Sequence, residues 1–286
     1  MNSVCSRNIG ASFIIAMVFL SVNMSSFTQE RPTDAAQLMR EVIRNELQSQ
    51  VEDQSHWRYR EIREANGKKE LREVYQTKCG DIYRVLAIND ELLNPKQVEA
   101  EGRRLQKLLA DPDKMREKQE EQGADAEKAR KVLNMLPNAF LYQYGGMEGH
   151  LIRLRFTPNQ EFHPTNRAEE VFHHLEGSVL IDARSRHFAE IGGRLTAEVN
   201  FGGGLLGHLE KGGTFLVVRK DVGFGQWQLA VVDIEMNGKA MLFKTVSIQQ
   251  KKSYSNYSLL PEDMALEQVA GALVEETSEA DEVALK

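Results

Sequence analysis

Residues 194–201 read RLTAEVNF, and this alternating stretch decides the fold class. Its hydrophobic positions, which all share one face, are Leu195, Ala197, Val199 and Phe201. Because the side chains of a β-strand point alternately to its two faces, the pattern predicts a strand with one buried face and one solvated face. Antiparallel sheets commonly keep one face in water, so the strand is expected in an antiparallel sheet.

Strands of the same kind are predicted on both sides of this stretch. Their ranges are 57–62, 71–78, 82–88, 150–156, 179–181, 215–219, 226–234 and 240–248. Four pairs that contain glycine predict the turns between strands, namely Asn66-Gly67, Gly192-Gly193, Gly212-Gly213 and Asn237-Gly238. About ten strands in meander order, each with an apolar and a charged face, predict one large curved sheet.

Two helical regions are predicted to cover the apolar face of this sheet. The first is Thr33 to Gln54, with Thr33 as N-cap. The second is a helical insert at residues 95–144, broken around residues 111–113. Its stretch 113–131 is highly charged and should face water, whereas residues 132–144 are apolar nearly all round and should be buried. The predicted fold class is α+β, a single large curved antiparallel sheet (an incomplete barrel) covered by an N-terminal helix and a helical insert.

The first 26 residues resemble a signal peptide. Arg7 precedes an apolar run at 11–20, and small or polar residues follow at 21–26. The run is short for a transmembrane helix, which needs about 20 apolar residues, so an uncleaved membrane anchor is the alternative. We therefore expect a periplasmic or secreted protein, with a ligand-binding domain at 27–260 and an acidic C-terminal tail at 261–286.

The net charge argues against one class of partner, and the cysteine content excludes a disulfide after residue 26. The formal net charge is -6, and removal of Arg7 with the signal peptide makes it -7, which argues against a nucleic-acid partner. Cys79 is the cysteine that remains after residue 26, so no intramolecular disulfide can form in that part of the chain. Its position beside Gly80 between two strand-like runs predicts a half-buried structural thiol.

The best candidate for chemistry is the EEVFHH segment, residues 169–174. On an α-helix, Glu170 and His174 would share a face, as would Glu169 and His173, and such pairs can bind zinc with His163 as a further ligand. A polar edge of a connection is the alternative, and we expect no metal.

The GGGLLG stretch at 202–207 matches a dinucleotide-binding pattern, but an alternating strand precedes it, so a loop or bulge is expected. Without a nucleophile motif, neither an enzyme nor a cofactor is predicted.

Two further groups of side chains allow both a functional and a structural interpretation. Trp57, Tyr59, Trp227 and Phe243 could form a wall on which a ligand stacks, or they could be core aromatics. Lys251-Lys252-Ser253-Tyr254 is weakly basic and could touch anionic lipid.

The order of elements resembles a known superfamily. The segments that carry this resemblance are 177–182 (GSVLID), 188–195 (FAEIGGRL), 199–202 (VNFG), 205–207 (LLG), 211–215 (KGGTF) and 225–229 (GQWQL). They resemble the periplasmic outer-membrane lipoprotein-sorting carriers, and relatives that sense mislocalised lipoproteins, over residues 33–257. The resemblance implies an incomplete antiparallel barrel with a helical lid that holds acyl chains. The long, charged insert departs from that pattern.

A curved sheet closed by helices forms a concave apolar cavity, which predicts a carrier or sensor of an apolar ligand. The residues expected to line it are Ile152, Leu154, Phe156, Val179, Ile181, Leu195, Val199, Phe201 and Phe215, with Leu136, Phe140 and Tyr144 as the lid. The expected partners are lipid or lipoprotein acyl chains, together with outer-membrane or other envelope proteins. One alternative is a cell-envelope structural or interaction module without a ligand, and another is a metal-dependent hydrolase at Glu170 and His174.

Overall fold

An antiparallel sheet of 13 strands, curved but not closed, dominates the fold, which confirms the predicted fold class. The structure is a computed structural model that describes residues 34–53, 55–65, 67–166, 169–201, 207–240, 244–261 and 269. The proposed signal peptide and nearly all of the acidic tail lie outside the described residues, so both stay predictions.

The elements follow one another in this order along the chain. The helices are α1 (Ala35–Glu52), α2 (Pro95–Leu109) and α3 (Pro112–Ala139), with a short 3-10 helix at Glu169–His174. The strands are β1 (His56–Ala65), β2 (Lys68–Tyr75), β3 (Ile82–Ile88), β4 (Glu91–Leu92), β5 (Phe140–Glu148), β6 (Leu151–Pro158), β7 (Leu175–Asp182), β8 (Phe188–Leu195), β9 (Val199–Phe201), β10 (Gly207–Leu209), β11 (Thr214–Asp221), β12 (Trp227–Ala240) and β13 (Lys244–Leu260).

The last strand joins two meanders into one sheet. The hydrogen-bonded order is β4-β3-β2-β1-β13-β12-β11-β8-β7-β6-β5, so β13 lies between β1 and β12 and is antiparallel to both. The sheet therefore ends at β4 and β5, and the helical insert is the segment of chain that links these two edges. We call the sheet face that α1 and α3 cover the inner face.

Helix α1 begins one residue later than predicted. Asp34, and not Thr33, is the N-cap, because its carboxylate accepts a hydrogen bond from the amide of Ala36 at 3.2 Å. Thr33 itself lies outside the described residues. The apolar stripe of α1 is buried as expected, with Leu38, Met39, Val42 and Ile43 packed on the inner face of the sheet.

The predicted break in the insert is confirmed. Asp111 caps α3 by accepting a hydrogen bond from the amide of Lys114 at 3.1 Å, and Pro112 occupies the first turn. The apolar segment 132–144, however, is not one unit. Helix α3 runs through Pro137 to Ala139, and the chain then becomes edge strand β5, which continues to Glu148.

Two of the predicted glycine turns are wrong. Gly192-Gly193 lies inside β8, and Asn237-Gly238 lies inside β12. A Cβ on Gly193 would lie 2.5 Å from the carbonyl oxygen of Glu176, and one on Gly238 would collide with the carbonyl oxygen of His208. These glycines are therefore needed for close approach of a neighbouring strand and not for a turn.

A row of four residues crosses the sheet from β6 to β11. Phe156, Gly177, Gly193 and Phe215 are successive cross-strand neighbours. A Cβ on Gly177 would lie 2.7 Å from Phe156 Cζ, and one on Gly193 would lie 2.9 Å from Phe215 Cε1. Each ring thus lies over the glycine beside it, an arrangement in which an aromatic side chain covers the exposed backbone of a glycine.

The stretch RLTAEVNF is divided between two strands. Strand β8 ends at Leu195, and β9 begins at Val199, because Thr196 turns the chain. Its amide and its hydroxyl both donate to the carbonyl oxygen of His174, at 2.8 and 3.1 Å. Leu195 and Val199 are nevertheless buried on the same core, as the alternation predicts.

The prediction for Cys79 is also wrong. Cys79 is exposed, because it lies in the turn that follows β2, where Gly80 adopts a positive φ of 98°. Among the described residues, no helix combines the length and the apolar character needed to cross a membrane.

The glycine row gives a test of the packing. Gly177→Ala should destabilise the protein by about 1–3 kcal/mol, because the methyl group collides with the Gly192 carbonyl and with the Phe156 ring. Gly123→Ala in α3 is the matched control. A Cβ at Gly123 meets nothing within 4 Å, so this substitution should stabilise the helix by about 0.5–1 kcal/mol. Urea unfolding measures both, and equal effects on stability would contradict the packing described here.

Candidate ligand-binding site

A cavity of about 830 Å³ lies between the second half of α3 and the inner face of the sheet. Helix α3 contributes Ala129, Val132, Leu133 and Leu136, and strands β8, β11 and β12 contribute Ile191, Phe215, Val217, Leu229, Ile234 and Met236. Sixteen of the 21 lining residues are aliphatic or aromatic, and the other five are Glu46, Gln50, Glu190, Arg219 and Gln228. An arrangement of this kind can bury an apolar molecule.

Two of the nine predicted cavity residues line this space, namely Phe156 and Phe215. The other seven belong to the packed core or lie against it: Ile152, Leu154, Val179, Ile181, Leu195, Val199 and Phe201. Helix α1 explains the difference, since its buried stripe packs on this part of the inner face and fills it. The cavity therefore lies further along the sheet, over β8, β11 and β12.

The three predicted lid residues differ in position. Leu136 on α3 and Phe140 at the start of β5 line the cavity and are buried. Tyr144 does not line the cavity. It lies on edge strand β5 with 57% of its surface exposed, because the chain leaves the helix at Ala139 and follows the sheet edge away from the cavity.

The end of α3 is tied to the sheet by Tyr142. Its hydroxyl donates a hydrogen bond to the carbonyl oxygen of Leu136 at 2.9 Å. Burial raises the pKa of Tyr142, so the hydroxyl keeps its proton and remains a donor. This bond satisfies one of the last carbonyls of the helix and holds the covering helix at the β5 edge.

One end of the cavity is charged. Along the inner face of β11, Phe215 and Val217 are followed by Arg219, and along α1 the buried stripe is followed by Glu46. Arg219 and Glu46 form a close ion pair, and the Glu46 carboxylate also accepts from the amide of Phe188 at 2.9 Å. Nδ1 of His187 lies 3.1 Å from the same carboxylate.

Glu46 is 2% exposed, and yet its carboxylate is held in its charged form. Burial by itself raises the pKa of Glu46. The hydrogen bond with His187, the charge of Arg219 and the amide of Phe188 together outweigh burial and hold that pKa below its ordinary value of 4.5. Glu46 is therefore ionised at neutral pH, and it links α1 to β8 and β11.

A second, polar cavity of about 270 Å³ adjoins the first. The residues that line both cavities are Glu46, Gln50, Arg219, Trp227 and Gln228. The second cavity adds Ser49, Asp53, Ser55, Trp57, Gln76, His187, Gly225 and Gln226. An apolar space thus meets a polar space across a shared wall, which is a geometry suited to a molecule with one apolar and one polar end.

The structure does not assemble the predicted zinc ligands. Residues 169–174 form a 3-10 helix with three residues per turn, in which residues four apart do not share a face. Glu169 accepts hydrogen bonds from Thr165 and Asn166, and Nε2 of His173 lies 2.8 Å from the carbonyl oxygen of Phe162. Within the described ranges no group of three or more potential ligands, His163 included, could hold a metal ion.

The other sequence candidates fall in several places. Residues 202–206 of the glycine-rich stretch and Phe243 lie outside the described residues. Trp57 and Tyr59 pack in a core cluster with Tyr254 and Tyr257, whereas Trp227 lines the apolar cavity. Of the basic pair on β13, Lys252 lies 3.4 Å from Glu61.

Sequence reasoning missed Glu46 and Arg219. Both stand at positions that the apolar pattern would assign to the buried face, four residues after Val42 on the helix and two after Val217 on the strand. A charged residue at a buried position of an amphipathic pattern was therefore the signal that could have found them.

Comparison with known proteins gives little further information. No family model and no curated protein matches the sequence. Among solved structures, the crystal structure of a DUF1329 family protein from Desulfovibrio piger aligns with 82% of this chain and 95% of its own, at 9% identity and a TM-score of 0.29. Similarity at this level does not place the chain in that family.

The ion pair predicts a pH effect on stability. Because the pKa of Glu46 is lowered in the folded state, its contribution is fully present above pH 4.5 and is lost as the pH falls through the folded value. Glu46→Gln should lower the free energy of unfolding by about 2 kcal/mol at neutral pH and reduce the loss of stability on acidification.

Glu41→Gln is the matched control for this prediction. Glu41 lies on the same helix but is partly exposed and 4.0 Å from Arg186, so its loss should cost less than about 0.5 kcal/mol. Urea unfolding at several pH values measures both variants. An unchanged acid profile in Glu46→Gln would show that this carboxylate does not supply the effect.

Proposed function

We propose that the chain is an exported carrier or sensor that binds an apolar ligand without covalent chemistry. Its cargo in this proposal is the acyl chain of a lipid or lipoprotein, and its site of action is the periplasm or the cell exterior. The single observation that carries the proposal is the apolar cavity of about 830 Å³ under α3. The signal-peptide pattern and the resemblance to lipoprotein-sorting carriers support it.

The size and lining of the cavity favour a ligand. Sites for small molecules are mostly apolar and measure about 300–1,000 Å³, a range that includes this cavity. An empty apolar cavity also lowers stability, because the lining atoms lose contacts that a close-packed core would provide. An acyl chain would restore them and contribute about 0.8 kcal/mol for each buried methylene group.

Helix α3 is the element that would admit the ligand. Its first half has one buried residue, Met115, and carries solvent-exposed ion pairs such as Arg116–Asp113. Its second half covers the cavity with Leu133 and Leu136. Movement of this half away from α1 would open the cavity by separating the side chains of Leu133 and Leu136 from the sheet and by breaking the hydrogen bond from Tyr142 to the Leu136 carbonyl oxygen.

A second candidate function is an envelope interaction module without a ligand. Edge strand β5 favours it, because Leu141, Tyr144 and Met147 on this strand are more than half exposed. A free edge with apolar side chains can pair with a strand of another protein. The ligand test below separates the two candidates, since this function does not use the cavity.

Val217→Trp tests the cavity. The indole would occupy space beside Phe215 and displace the equivalent of about two methylene groups of ligand, so binding should weaken about tenfold. The measurement is the fluorescence of N-phenylnaphthylamine, an uncharged apolar probe, titrated with protein. Mass spectrometry of the native protein should in addition detect copurified lipid.

Val218→Trp is the matched control. Successive strand residues point to opposite faces, and Val218 does not line the cavity, so this variant should bind the probe like the parent protein. Absence of probe binding in the parent protein, or equal weakening by both substitutions, would contradict the proposal.

A further inference from the structure

We infer that the ligand is an amphiphile whose headgroup oxygens lie in the polar cavity while its chain fills the apolar one. The inference rests on the proposed function and assigns the chemistry of the second half of the same site. Three observations support it, namely the direction in which the walls become polar, the unpaired donors in the polar cavity, and the acceptors that are already occupied.

The cavity walls formed by β11 and α1 change from apolar to polar residues at the same end of the cavity. On β11 the change comes between Val217 and Arg219, and on α1 it comes between Val42 and Glu46, with Gln50 one turn further. The contact between Arg219 and Glu46 joins the two walls at this level. One end of an acyl chain bound in the apolar cavity therefore lies beside polar residues, which can solvate a polar headgroup.

Two buried donors at this end lack acceptors. The indole N–H groups of Trp57 and Trp227 are buried, both rings line the polar cavity, and neither N–H has a hydrogen-bond partner within the part of the chain that the structure describes. Trp57 is 2% exposed. Leaving a buried donor unsatisfied is costly, so two such donors on one cavity point to an acceptor supplied by a ligand.

Arg219 adds further donors. Its terminal nitrogens donate to Glu46 and to the carbonyl oxygen of Trp227. A guanidinium has five N–H groups, so three of those of Arg219 make no hydrogen bond to the described residues and can donate to another acceptor. The side chain is 22% exposed, in keeping with access from the polar cavity.

Three of the acceptor groups that line the polar cavity already accept hydrogen bonds. The Asp53 carboxylate accepts from the amide of Ser55 at 2.8 Å, and the Gln76 side chain accepts from the amide of Trp57 at 3.1 Å. The Glu46 carboxylate is occupied by Arg219 and the amide of Phe188. A headgroup that accepts hydrogen bonds therefore fits better than an ammonium group, which only donates.

Carboxylate and phosphate headgroups share this chemistry and correspond to a fatty acid and to a phospholipid. Calorimetric titration of the full chain with dodecanoate, dodecyl phosphate and dodecylammonium compares three headgroups on one chain length, below micelle formation. At least one of the two anions should bind about tenfold more tightly than the cation. Tighter binding of dodecanoate would point to a fatty acid, and tighter binding of dodecyl phosphate would point to a phospholipid. Equal affinity for the anions and the cation would overturn the inference while leaving the proposed function intact.

Trp57→Phe and Trp227→Phe remove the N–H groups and keep an aromatic ring. Each should reduce the preference for the anion, taken as the ratio of its affinity to that of the cation, about threefold or more. The control is Tyr254→Phe, which removes a hydroxyl of the neighbouring aromatic cluster outside the polar cavity and should leave the preference unchanged. An unchanged preference in both tryptophan variants would overturn the inference. Failure of the parent protein to bind any of the three amphiphiles or the probe would overturn the proposed function with it.

Discussion

The pairing of β13 with both β1 and β12 is the interaction on which the rest of the structure depends. It joins a strand meander made early in the chain to one made late, through antiparallel hydrogen bonds along both sides of a 17-residue strand. Without it the chain would form two smaller sheets, each with additional free edges. With it the sheet has edges at β4 and β5, and the insert that connects these edges is brought onto the inner face, where α3 covers the cavity.

Much of this fold could be predicted from the sequence, because periods of two and of about 3.6 residues distinguish strands from helices. The glycine pairs could not be interpreted in the same way. Gly212 is at a turn, with a φ of 91°, whereas Gly193 is inside a strand, where a neighbouring backbone and the Phe215 ring leave no room for a Cβ. Both situations select glycine, the first through a positive φ and the second through contacts made by residues distant in the sequence.

Prediction of the binding site from the sequence is limited in the same way, because the site also depends on contacts between residues distant in the sequence. Alternation correctly identifies which side chains of β6 to β8 face inward, but it does not tell which part of that face a helix fills. Helix α1 has 18 residues and is about 27 Å long, so it covers one part of the inner face and leaves the part over β8, β11 and β12 to the cavity. Five predicted cavity residues are therefore core and two lie against it, while Val217 and Leu229, which line the cavity, were not singled out.

The position of the Glu46–Arg219 pair bears on why the site has a charged end. Burying an ion pair costs desolvation energy that the attraction only partly offsets, so apolar residues of similar size would stabilise the core about as well. Stability alone therefore gives little reason to keep this pair between the two cavities. The proposed ligand with a polar end would give one. The pair ends the apolar surface, and Arg219 lines the polar cavity together with two tryptophans whose indole N–H groups lack partners among the described residues.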